Sequence, residues 1–287
     1  MDDENLPALY RSANDLSLES QREFLLALSL HLVLLVIISA LNSINVTDWK
    51  IPALQLIFLL MILFCSIYLY SKRPDRAWYS GRAVAESIKT MAWRYVSRAE
   101  PFHVDDNLAK SEFRNRIKYV IEQNKDVAKL LTTNLDKPQI TDKMNDLRRS
   151  SLFERKNTYR TNRIDDQLSW YAKKSSYNRR LSDKFFWALI FVNFVAVVLS
   201  VVKIGYIDFK FWPIDILVAI SASILSWMQA KRYSELASSY ALAAHEIGLI
   251  REYSESPATD SEFSQFVGDA ENAFSREHTQ WVARQDN

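Results

Sequence analysis

The sequence predicts an all-α integral membrane protein, with four transmembrane helices arranged as two tandem hairpins and with helical arms outside the bilayer. Three observations carry that expectation. Four apolar runs of spanning length occur as two pairs about 160 residues apart, the charged remainder is poor in glycine, and basic residues gather at the same end of both pairs.

Phe24 to Leu41, Ile51 to Tyr70, Phe185 to Val202 and Ile214 to Met228 contain no Lys or Arg. At ~1.5 Å rise per residue, about 20 residues cross a ~30 Å hydrocarbon core. The second run alone is 20 residues long. The fourth is 15 residues long and carries Asp215, so its extent leans on Trp212 and Pro213 before it and Gln229 to Lys231 after it. Spans are expected over about 24–41, 51–70, 185–202 and 213–229. Buried core helices of a soluble protein would fit shorter runs.

Flanking charge sets the orientation. Segment 71–90 holds Lys72, Arg73, Arg76, Arg82 and Lys89, and segment 165–184 holds Lys173, Lys174, Arg179, Arg180 and Lys184. The short connectors hold only Lys50 in the first pair and Lys203 and Lys210 in the second. By the positive-inside rule both termini and the middle of the chain are expected in the cytoplasm. Trp49, Tyr206 and Trp212 would then lie at the outer interface, where amphipathic rings prefer to sit. The acidic start, Met1-Asp2-Asp3-Glu4, is not followed by a cleavable signal, so the first span is expected to stay. A single cysteine, Cys65, excludes an intrachain disulfide framework and suits a reducing compartment.

The halves resemble one another. An offset of 160 places Ser71-Lys72-Arg73 on Lys231-Arg232-Tyr233, Ala83 on Ala243, Glu86 on Glu246 and Trp93 on Tyr253; an offset of 161 places Pro52 on Pro213. The chain divides accordingly into a first copy at 1–135, a linker with a short helix at 136–164, and a second copy at 165–287. Copies with an even number of spans have parallel topology, unlike the inverted repeats of many transporters. Four helices of one chain pack around side chains and leave no wide lumen, so a pore would need several chains in a ring.

Outside the spans the pattern is helical. Trp78 to Arg98 carries apolar residues at three- and four-residue spacing, and Pro101 stops it. Further helices are expected at about Asn107 to Leu131, near Thr141 to Lys156, from Asp165 into the third span, from Tyr233 to Tyr253 as a continuation of the fourth, and from Asp260 to Arg284. Segment 71–184 holds 26 basic and 15 acidic residues, whereas 230–287 holds 5 basic and 10 acidic. Opposed signs favour docking of one region on the other, within a chain or between chains; the alternative is that the basic residues face anionic lipid. No nucleic-acid-binding motif accompanies them, and no nucleic-acid partner is expected.

Trp78, Arg82, Glu86, Lys89 and Trp93 share one helix face, with Arg82 and Glu86, and Glu86 and Lys89, spaced to pair. The face reads either as a solvated, salt-bridged surface or, given its tryptophans, as a surface that packs on another helix or subunit. Together with Glu271, Arg276, His278 and Trp281 of the last helix it forms the candidate cytoplasmic interface. Glu277-His278 lacks the second histidine of a zinc helix, and the neighbouring serine cannot face both as a triad. In the fourth span Asp215, Ala219, Ala222, Ser223 and Ser226 align as a candidate pore-lining or helix-packing face. His31 and Asn193 are further intramembrane polar candidates. With no glycine phosphate loop, no Cys/His cluster and no paired carboxylates, neither an enzyme nor a cofactor or metal is expected.

Trp78-Tyr79-Ser80-Gly81-Arg82-Ala83-Val84-Ala85-Glu86-Ser87-Ile88-Lys89-Thr90, followed by Trp93-Arg94-Tyr95 and Pro101-Phe102, resembles the segment after the second span of a SLATT domain, the SMODS and SLOG-associating two-transmembrane domain. Trp170-Tyr171 and the stretch from Glu271 through Ser275 to Trp281 resemble a second variety of it. The resemblance implies a bacterial membrane effector of conflict systems that forms a pore or disturbs the bilayer when a nucleotide-sensing partner protein is triggered; with the span pattern, the reading is an inner-membrane homo-oligomer of a nucleotide-linked anti-phage system, triggered by such a partner or by a nucleotide signal directly. It supplies no catalytic residues. The alternatives are a non-conducting scaffold that recruits cytoplasmic partners and a constitutive ion channel.

Overall fold

The computed structural model describes residues 1–43, 49–206 and 211–283, with side chains as far as Ser275. Every regular element among the described residues is helical: a short 3-10 helix (Asp3–Asn5), α1 (Ala8–Asn42), α2 (Lys50–Lys72), α3 (Pro74–Val96), α4 (Asp106–Gln123), α5 (Lys125–Ala128), α6 (Asp142–Arg149), α7 (Leu152–Tyr159), a π-turn (Arg160–Asp165), α8 (Asp166–Gly205), α9 (Ile214–Lys231), α10 (Tyr233–Tyr253) and α11 (Asp260–Ala283). Four helical stretches, within α1, α2–α3, α7–α8 and α9–α10, are long and apolar enough to cross a membrane. Lys210 of the second connector lies outside the described residues.

The chain forms two compact units that each draw on both sequence copies. A span unit comprises Arg22–Pro74 and Ser175–Ser238; a head unit comprises Met1–Gln21, Asp75–Lys174 and the chain from Ser239 onward.

In the span unit α1 and α2 form an antiparallel hairpin. Gln55 Nε2 donates to Asn42 Oδ1 at 2.8 Å near its turn, and the Tyr68 hydroxyl donates to Glu23 Oε2 at 2.8 Å at its open end. The second hairpin is fastened in the same sense. Ser221 Oγ donates to Asn193 Oδ1 at 2.7 Å, Phe185 stacks on Tyr233 with ring centroids 5.5 Å apart, and Ser175 Oγ donates to the Ala237 carbonyl at 2.8 Å. Ser223 Oγ approaches the Leu32 carbonyl at 3.5 Å, a long contact that joins the hairpins through α1 and α9. Leu26, Phe64, Phe191 and Phe194 point outward and are well exposed. So continuous an apolar exterior belongs in lipid rather than water.

Both return spans end at a sharp junction, and the second departs from the sequence expectation that the fourth span continues unbroken into the helix from Tyr233. Arg73 and Arg232 adopt left-handed backbone conformations, φ 45° and 49°, directly after α2 and α9. Each donates its N–H to the last turn, to the Leu69 and Met228 carbonyls. A non-glycine residue is rare in this region because its Cβ crowds the backbone. Arg232 follows Arg73 by 159 residues, so the two junctions set the correspondence between copies one residue short of the offset read from side chains.

The head unit surrounds α3. Val84, Ala85, Ile88, Ala92, Trp93 and Val96 bury its inner face against Leu6, Tyr10 and Ala13 of the N-terminal segment, Phe113 and Ile117 of α4, Ile247 of α10 and Phe263, Val267 and Phe274 of α11. Gly81 permits a close approach of α3 to α1. A Cβ there would stand 3.1 Å from the Ala13 carbonyl oxygen and 3.2 Å from the Ser17 nitrogen, both backbone atoms that cannot rotate away. Gly81→Val is therefore expected to destabilise the head by about 1–3 kcal/mol, the usual cost of overpacking; an unchanged melting temperature would show that α1 has room to shift.

Two expected helices are subdivided. The segment from Asn107 breaks at Asn124, between α4 and α5, and the short helix near Thr141 to Lys156 is two helices. The second break has a local cause: Ser151 and Glu154 form a reciprocal capping box that starts α7 afresh. Thr141 caps α6 in turn, accepting from the Met144 N–H at 3.3 Å.

Candidate functional site

The head is held by ion pairs in which arginines of the linker meet acids from distant segments. Arg148, Arg155 and Arg163, with Tyr159 between the last two, form the buried side of α6, α7 and the π-turn. Arg148 Nε donates to Asp106 Oδ1 at 2.9 Å. Arg155 Nη2 donates to Asp260 Oδ1 at 2.5 Å. Arg163 makes a two-pronged contact with Glu271 of α11, Nε to Oε1 at 2.9 Å and Nη2 to Oε2 at 2.7 Å. Arg160 pairs with Glu255, and Lys156 Nζ donates to the Glu255 carbonyl at 3.2 Å. The opposed charges of the middle and the C-terminal part thus meet within one chain.

The Arg163–Glu271 pair is the most deeply buried, at 1% and 0% side-chain exposure. The Tyr159 hydroxyl also donates to Glu271 Oε1, at 3.0 Å, and the Arg163 guanidinium lies 4.9 Å from the Phe274 ring centroid. Arg163 Nη1 is buried with no hydrogen-bond partner among the described residues. Burial, and then the neighbouring Glu271 carboxylate, push the Tyr159 phenol well above its usual range. The folded phenol keeps its proton where the unfolded one loses it, so this contribution is present at neutral pH and declines as pH rises beyond about 10. Tyr159→Phe is expected to flatten the alkaline fall of stability, measured by unfolding between pH 9 and about 11; an unaltered slope would mean that other tyrosines carry it.

The α3 face is an interface within the chain. Trp93 is buried and meets Tyr159 edge to face at 5.8 Å between centroids. Glu86 is buried and pairs with Arg82 at 2.6 Å. Lys89 reaches Asp3 at 3.9 Å and lies 5.7 Å from the Tyr10 ring centroid. Burial pushes Lys89 below the usual lysine range, with Glu86 and Asp3 offsetting this in part. Trp78 is half-buried and stacks on Tyr79. Glu271 belongs to the same interior, whereas Arg276, His278 and Trp281 follow Ser275, so their side chains lie outside the described residues.

The α9 face divides. Ser223 turns toward α1, and Ala219 is half-buried, while Asp215, Ala222 and Ser226 are exposed. Asn193 accepts the Ser221 hydroxyl hydrogen, a neighbouring-helix bond that the periodicity of α9 alone did not single out. His31 Nδ1 is buried without a hydrogen-bond partner among the described residues. No three His, Cys, Asp or Glu side chains gather to hold a metal ion among the described residues. A recess in the head, lined by Tyr171, Ala243, Glu246, Ile247, Ile250 and Phe274 among others, offers about 10 Å³, room for roughly one water.

Sequence reasoning missed Arg148, Arg155, Tyr159 and Arg163. Their spacing of seven, four and four is helical, but arginines in so basic a region read equally as a docking surface for the acidic part or as a face turned to anionic lipid, and charge alone does not single out these three.

Two family models match in tandem and cover nearly the whole chain: SMODS and SLOG-associating 2TM effector domain 3 over residues 7–156, and SMODS and SLOG-associating 2TM effector domain 1 over residues 159–281. The chain belongs to this SLATT family of membrane effector domains, and with four membrane-capable helices it is a multi-pass membrane protein. No curated protein and no solved structure matches it.

Proposed function

We propose that the protein is a bacterial inner-membrane effector that permeabilises the cell as a homo-oligomer, with its termini and head in the cytoplasm and the head controlling a pore. The trigger is a nucleotide-sensing partner or a nucleotide, and the outcome is arrest of a phage-infected cell.

The observation that supports this reading is the outer face of α9. Asp215, Ala222 and Ser226 are exposed in a chain that belongs to an effector family. Ionisable and polar groups are costly against lipid and are covered by another helix or wetted by water, both of which an oligomeric pore provides. Ser223 is engaged with α1 and acts as the internal comparison.

The test is inducible expression in a bacterium while following membrane potential and propidium entry, at matched membrane abundance. Ser226→Leu is expected to suppress depolarisation by an order of magnitude or more if about 1.4 kcal/mol of water-facing stabilisation is lost. Ser223→Leu tests packing of α1 on α9, and Arg82→Glu tests control by the head. Retained membrane potential at high expression, together with no ion or dye flux from purified protein in liposomes under any trigger, would sink the pore reading and favour a scaffold.

A further inference from the structure

The side of α8 turned away from its hairpin partner carries a graded stripe. Tyr177, Arg180, Lys184, Trp187, Phe191 and Phe194 recur at alternating steps of three and four, so they lie along one line of the helix. All six are exposed, and each of the four aromatic residues is more than half exposed. The opposite side of α8 is occupied: Ser175 bonds to the Ala237 carbonyl, Asn178 is buried, and Phe185 stacks on Tyr233. Arg180 and Lys184 form no ion pair among the described residues, whereas Arg179 beside them is 3.7 Å from Asp183.

The order along the helix identifies the occupant. Cations come first, an indole follows, and then apolar rings run into the span. A phospholipid presents the complementary sequence of anionic phosphate, polar glycerol-ester zone and acyl chain, and indoles favour the intermediate zone. Self-docking of the stripe in parallel copies would set Arg180 and Lys184 against their own counterparts, which like-charge repulsion opposes. The first hairpin offers no such gradation, because the corresponding exposed line on α1 holds one cation, Arg22, and no aromatic residue before Leu26, Leu30 and Val33.

We propose that this α8 stripe is a docking site for an anionic phospholipid, its headgroup phosphate held by Arg180 and Lys184 between Tyr177 and Trp187 and one acyl chain lying along Phe191 and Phe194. The site rests on the chain crossing a membrane, and on nothing else in the pore reading; a chain that conducts no ions would still show it.

The test uses the purified full-length chain in detergent micelles with added phosphatidylglycerol or phosphatidylcholine, the retained lipid being counted by native mass spectrometry. Wild type is expected to retain phosphatidylglycerol at least about tenfold more than phosphatidylcholine, since each cation near an anionic surface contributes about fivefold. Arg180→Gln with Lys184→Gln should bring the two lipids within about twofold of one another, and the charge-preserving pair Arg180→Lys with Lys184→Arg should keep the preference. An unchanged preference in the glutamine pair overturns the site. So does displacement of phosphatidylglycerol by millimolar inorganic phosphate, which would identify a free-phosphate site. A changed oligomeric mass in the glutamine pair with unchanged lipid retention would assign the stripe to a second copy of the chain instead.

Discussion

Glu271→Ala is expected to lower the unfolding free energy of the head by about 3–5 kcal/mol, the usual consequence of removing one member of a buried ion pair. The alanine leaves the Arg163 guanidinium enclosed, without either of its carboxylate contacts, and removes the acceptor of the Tyr159 hydroxyl. Because Nη1 already lacks a hydrogen-bond partner among the described residues, the guanidinium has little to fall back on. Glu271→Gln keeps an acceptor but loses the charge and should fall between the two. Pairing Arg163→Met with Glu271→Leu should restore much of the loss, since the pair's own attraction is largely cancelled by its desolvation. Thermal unfolding of the purified full chain in detergent, with amide exchange across α11, measures this. A Glu271→Ala protein that melts with wild type would mean that the pair contributes nothing and that α11 is held by its aromatic residues.

Arg148→Ala should cost a similar amount, about 3–4 kcal/mol, through a different kind of loss. The Arg148 side chain is buried and closes the segment between α3 and α4. Nη1 donates to the Tyr95 and Phe102 carbonyls at 2.8 and 2.9 Å, and Nη2 donates to the Val104 carbonyl at 2.9 Å. Nε holds Asp106, and the guanidinium lies 4.9 Å from the Tyr95 ring centroid. Its removal takes a donor from the Tyr95, Phe102 and Val104 carbonyls together, although the Tyr95 carbonyl keeps the Arg98 N–H, and a buried acceptor left unpaired costs more than a made bond returns. Lysine has the charge but not the planar fork, so Arg148→Lys should recover less than half. Limited proteolysis between Ser97 and Asp106 reads the effect directly. Wild-type protection in Arg148→Ala would show that the segment is fastened elsewhere.

These two residues mark where sequence reading succeeds and where it stops. The spans were legible because lipid requires long apolar runs whatever the tertiary structure. The apolar stripe of α3 was legible because its positions repeat at helical spacing, whereas the charged face beside it, with Trp78, Arg82, Glu86, Lys89 and Trp93, read equally as solvated or as packed. Arg148 and Arg163 were not, because an arginine is buried only when its partner is in place, and their partners lie far away in sequence, at Asp106 and Glu271. The linker, read as a connection between copies, is instead the most highly charged part of the head's interior. On α9 the periodicity grouped Ser223 with Ser226, but a face read from spacing is a broad arc, and packing against α1 divides it.

The Arg73 and Arg232 junctions give the two hairpins a shared mechanical asymmetry. Within each, one strand of the hairpin is an unbroken rod, α1 or α8, and the other is interrupted by a single left-handed residue. An unbroken helix carries its backbone hydrogen-bond ladder from one turn to the next, whereas a left-handed residue ends one ladder and lets the chain start another. Each copy thus pairs a continuous helix with a jointed one, and in both copies the joint is an arginine.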